Sequence, residues 1–96
     1  MSQDPIRFSA GGAQFGLAVS STAVTLTVPG AARKAEIYVR TASVVFTRDG
    51  TTPTATLGFQ AEVGDIIMLH SKSEMTNFKV IRQAADATID VEYFTS

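Results

Sequence analysis

Apolar and polar residues alternate along most of this chain with a period of two, which is the spacing of a half-buried strand and not of a helix. From Thr22 to Val28, Val24, Leu26 and Val28 alternate with Thr25 and Thr27, and Pro29-Gly30 closes the run. Ala35 to Arg40 alternates again, setting Ile37 and Val39 against Glu36, Tyr38 and Arg40. Val44-Val45-Phe46 forms a third run, bounded by Asp49-Gly50. Ile66 to Leu69 is apolar throughout and follows Gly64-Asp65, which predicts a strand covered on both faces. Phe78 to Arg82 is a fifth run. Ala87 to Phe94 is the most regular, with Ile89, Val91 and Tyr93 on one face and Asp90, Glu92 and Phe94 on the other. Weaker strands are expected at Phe15–Val19 and Leu57–Ala61. Ser71–Asn77 carries the one helical signal, with Ser71 and Glu74 spaced as a capping box.

Six to eight short strands and at most one helical turn define an all-β chain. The expected fold is a single-domain antiparallel β-sandwich, Ig-like or jelly-roll-like. Residues 22–96 form the expected sandwich. Residues 1–21 hold Pro5, three glycines and isolated apolar anchors at Ile6, Phe8, Phe15 and Leu17, the composition of a frayed terminus, and the spaced anchors also allow an N-terminal arm that packs on a neighbouring subunit.

The chain has 96 residues, enough for one domain with a thin core. Charged residues make up 18%, below the usual quarter, and the net charge is −1, so the basic excess of a nucleic-acid binder is missing. Charge is uneven: residues 1–48 carry five basic against two acidic groups, and residues 49–96 three against seven. There is no cysteine, hence no disulfide framework. No apolar run is long enough for a membrane helix, and residues 1–20 lack the basic-then-apolar order of a signal peptide.

Candidate chemistry is thin. His70 is the single histidine, with no G-x-S-x-G and no second histidine for zinc, and reads as a surface group. Asp90 and Glu92 share a strand face, a spacing open to a metal or an acid–base pair, but also that of a solvated face or subunit contact. No phosphate-binding glycine motif and no calcium loop occurs. No enzyme activity, cofactor or metal is expected.

The most distinctive stretch is Val44 to Thr54: a strand, an Asp49-Gly50 turn, and a Thr52-Pro53-Thr54 exit that cannot pair as a central strand. Together with Thr27-Val28-Pro29-Gly30-Ala31, Ala35-Glu36-Ile37, Gly58, Gly64-Asp65-Ile66-Ile67, Phe78 with Ile81, and Tyr93-Phe94, it resembles small structural proteins of tailed bacteriophages, of the head decoration (cement) or head-fibre-base type. The likeness spans roughly residues 22–94 and leaves residues 1–21 aside. It implies a virion structural protein on the capsid surface, made in the bacterial host cytoplasm. Its partner would be the major capsid protein of a phage, with no nucleic acid or membrane involved. It also implies a homo-oligomer, a trimer by analogy with decoration proteins on local three-fold axes. A tail or connector component is the alternative within the virion. The expected contact residues are Phe8 and Phe15 in the arm and Arg48, Asp49, Thr51, Thr52 and Pro53 in the turn. Val44 to Thr54 is also similar to Ig-like carbohydrate-associated modules of chitin-degrading enzymes, with Phe46 where tyrosine is usual. That reading predicts exposed aromatics and sugar binding.

Overall fold

A computed structural model describes residues 10–95, which fold into two antiparallel sheets packed face to face. In chain order the elements are β1 (Ala10–Val19), β2 (Lys34–Arg40), β3 (Val44–Thr47), β4 (Phe59–Ala61), β5 (Ile66–Leu69), α1 (Lys72–Asn77), β6 (Lys79–Arg82) and β7 (Ala87–Phe94). The first sheet runs β1-β7-β2-β5 and the second β4-β3-β6. This is the small all-β sandwich that the alternating sequence predicts.

The alternation sorts residues by face. In β7, Ala87, Ile89, Val91 and Tyr93 are buried, and Thr88, Asp90, Glu92 and Phe94 point outward. In β2, Ala35, Ile37 and Val39 are buried between Glu36, Tyr38 and Arg40. These side chains meet Val44, Phe46 and Val80 from the second sheet, with Leu69, Met75 and Phe78 closing the core. Each fully buried aliphatic or aromatic side chain there contributes roughly 1.5–3 kcal/mol.

Two local details hold this frame. The Tyr93 hydroxyl donates to Gln14 Oε1, which ties β7 to β1, and the same oxygen accepts from the Thr27 amide at 3.2 Å. Burial raises the Tyr93 pKa to about 12. In the β3–β4 connection, Pro53 is fully buried and the chain doubles back over Val45. A methyl group at Gly58 would lie 2.7 Å from Val45 Cγ1 and 2.9 Å from the Phe46 carbonyl oxygen, and the backbone φ there is +133°. Glycine is what lets the loop lie so close to the sheet.

Several expectations change. Thr22–Val28 is not a strand: only Val24 forms a bridge, to Val80, while Val24, Leu26 and Val28 lean on the core half-buried. Its alternation comes from lying along the side of the sandwich without joining a ladder. Phe15–Val19 is the second half of a ten-residue strand. The described part of residues 1–21 is therefore integral to the first sheet, paired with β7 from Ala10 to Val19. Residues 1–9, including Phe8, lie outside the described residues. Ile66–Leu69 is a strand, but among the described residues an edge strand paired only with β2, and Ile66 is 53% exposed rather than covered.

The helix follows its signal closely. Ser71 is extended and accepts the Glu74 amide at 3.1 Å, satisfying one free donor of the first turn. Glu74 in turn accepts the His70 amide at 2.7 Å, one residue earlier than a capping box would have it.

Candidate contact surface

The expected contact residues separate into two places and one interior position. Phe15 sits on the outer face of the first sheet and is 81% exposed. It is carried there by a bulge, since β1 shifts register against β7 between Gln14 and Leu17. Gly16 takes a φ of +67° in that bulge, and its amide donates to Asp90 Oδ1 at 2.8 Å. The other Asp90 oxygen accepts from Arg40 Nη1 at 2.8 Å. Asp90 thus anchors the bulge that displays Phe15. Phe15, Tyr38, Arg40, Asp90 and Glu92 line a shallow cleft on this face.

Glu36 and Glu92 stand directly opposite each other on β2 and β7. Like charges in that position are unfavourable. The Tyr38 hydroxyl relieves part of this by donating to Glu36 Oε1 at 2.8 Å. That bond, followed by burial and the two carboxylates, raises the Tyr38 pKa above its ordinary 10.0. Asp90 and Glu92 share the face as expected. Among the described residues no group of three metal-binding side chains is formed.

The turn residues lie at the second sheet. The Arg48 guanidinium lies 5.7 Å from the Phe46 ring centre and 5.9 Å from that of Phe59. Asp49 accepts the Thr51 amide at 3.0 Å, and this bond lowers its carboxyl pKa. The Thr47 hydroxyl donates to the Thr51 carbonyl, and Lys79 Nζ donates to Thr52 Oγ1 at 3.4 Å. Arg48, Asp49, Thr51 and Thr52 are exposed. Pro53, by contrast, is fully buried, close to Gly58 in the same loop. Exposed Leu57 and Phe59 lie beside Asp49 and Thr51 in a shallow cleft and extend the patch, although neither was singled out by sequence. Nothing in a two-residue apolar pair separates a core position from a displayed one.

A third feature was not foreseen. Arg33, Lys34, His70 and Lys72 converge on an open cleft of roughly 860 Å³ with Ser71 and Thr95. Lys72 is fixed there by the carbonyls of Pro29 and Gly30 at 3.0 and 2.8 Å. His70 is exposed, as its sequence context implies. Arg33-Lys34 and Lys72 are 38 positions apart in sequence, so only the pairing of β2 with β5 brings them together.

Comparison with known protein families, with curated proteins and with solved structures returns no match.

Proposed function

We propose that this chain is a binding subunit of a virion shell, a decoration or head-fibre-base protein that stabilises a coat lattice. The observation that carries the reading is where the large apolar side chains are. Phe15, Leu57, Phe59, Val63 and Ile66 are displayed on the outside of a 96-residue sandwich. Leu57 and Phe59 lie together in one cleft, and a contiguous apolar patch on a small protein is a mark of a surface meant to be covered. The order of motifs from Thr27 to Phe94, which resembles phage head proteins, supplies the partner class.

The mechanism is mechanical. A rigid sandwich laid across a joint between coat subunits buries apolar surface that must be re-exposed before the subunits part. Repetition over a lattice multiplies a modest contact. Phe15 on one sheet and Arg48 with Phe59 on the other give the subunit two separated contact patches, as bridging requires.

Immunogold labelling with an antibody against the purified chain tests this on particles of the virus that encodes it. Label over the whole shell is the expected result. Label at a single vertex places the chain in the connector or tail instead. Unlabelled particles overturn the reading.

A further inference from the structure

A sandwich of two open sheets has four edges, and an unprotected edge is a template for another strand. Three of the four edges here are blunted, each by a visible device. β1 is broken by two register shifts, with Gly12 and Gly16 at positive φ. β6 is covered by the segment that follows β1: Val24 and Val80 exchange both backbone bonds at 2.9 and 3.1 Å, and the Arg82 amide donates to the Ser20 carbonyl. β4 is three residues long, and the next amide, of Glu62, turns away to the Asp65 carboxylate at 2.8 Å.

Among the described residues, β5 has no such device. It reads Ile66-Ile67-Met68-Leu69, without charge, proline, glycine or bulge. Its hydrogen-bonding geometry is fixed by β2. Val39 exchanges backbone bonds with Gly64 and Asp65, so Ala35, Ile37 and Val39 aim their backbone groups at β5. Ile67 and Leu69, which stand opposite Ile37 and Ala35, use theirs on β2. The amides and carbonyls of Ile66 and Met68 therefore point away from the sheet.

We propose that β5 pairs antiparallel with β5 of a second copy, joining two four-stranded sheets into one of eight. Two features select a second copy over an unrelated strand. First, the edge is self-complementary: setting Ile66 opposite Met68 of the mate satisfies all four outward groups on each chain about a two-fold axis at Ile67. It also stacks Ile66 on Met68 across the joint, on the outer face of the sheet. Second, the two ends of β5 carry opposite charge. The turn before it holds Glu62 and Asp65, and the corner after it holds Arg33, Lys34, His70 and Lys72. Antiparallel pairing carries the acidic turn of each copy toward the basic corner of the other, twice. That gives the basic cleft an occupant.

Four-residue edges bury less than a standard interface, so association depends on concentration. The test is native mass by light scattering from low micromolar up to about 1 mM, where the free energy of association is only about 4 kcal/mol. The wild-type chain is expected to move toward twice 10.2 kDa. Ile66→Lys places a charge on the joint, and Met68→Pro removes an amide that points away from β2 and that no described residue is seen to use. Both are expected to keep the wild-type circular dichroism spectrum and to stay monomeric. A wild-type chain that is monomeric throughout overturns the pairing. So does a mass three times that of the chain, or a dimer that survives in both variants. This inference stands apart from the coat-lattice reading: a chain that labels shells yet never dimerises keeps that reading and loses this one.

Discussion

Gly58 and Tyr93 show how much single atoms decide here. Gly58→Ala forces a methyl group against Val45 and the Phe46 carbonyl at a φ unsuited to alanine. A loss of about 2–4 kcal/mol is expected by urea unfolding, because backbone strain and overpacking add. Tyr93→Phe removes one hydrogen bond but leaves Gln14 still bonded to the Thr27 amide, so a loss of about 1 kcal/mol is expected. Tyr93 also sets an alkaline limit. Its folded pKa of about 12 lies above the unfolded value near 10. The fold prefers the neutral phenol, so its contribution is complete below pH 10 and falls between pH 10 and 12. Unfolding midpoints measured across that window should decline in the wild type and decline less in Tyr93→Phe. Phe15→Ala, at a residue exposed by 81%, should change stability by less than about 0.5 kcal/mol, and under the coat-lattice proposal it should lower occupancy on shells. Neither the role of Gly58 nor the means by which Phe15, expected as a contact residue, is displayed could be read from sequence. The first depends on a loop returning over Val45, and the second on a bulge whose anchor, Asp90, lies 75 residues away.

Elements were legible where local pattern and environment agree. β7 and β2 alternate because one face meets the core and the other meets water, and both appear with the faces that their sequences assign. The helix was legible from Ser71, and Ser71→Ala should cost about 1 kcal/mol in thermal unfolding through the lost cap. β5 shows the opposite situation. A continuous apolar run describes a strand covered on both faces and an unguarded edge equally well, and only the neighbouring strand separates the two. Thr22–Val28 has strand spacing without strand pairing, since alternation reports which side chains touch the core and not whether the backbone finds a ladder. The N-terminal segment was illegible for a related reason. Its glycines disguise a strand, and they are there to form the bulges at Gly12 and Gly16.

The whole molecule is organised around β7, the last strand in the sequence and an inner strand of the larger sheet. It pairs with β1 from Ala10 onward on one side and with β2 from Lys34 onward on the other. Those two strands touch the sheet only through it or, for β2, through the short edge β5. A ribosome that has delivered everything up to residue 86 has made six strands and the helix, and still cannot build this sheet. Folding must wait until residue 94 clears the exit tunnel. Until then Ile37, Val39 and Leu69 have no core to enter. Nascent chains arrested before Ala87 should be digested readily by protease, and chains whose Phe94 is carried clear of the tunnel on an added C-terminal linker should resist. In a cell making the chain in quantity, the Ile66–Leu69 segment would spend each round of synthesis uncovered beside its neighbours on the same messenger.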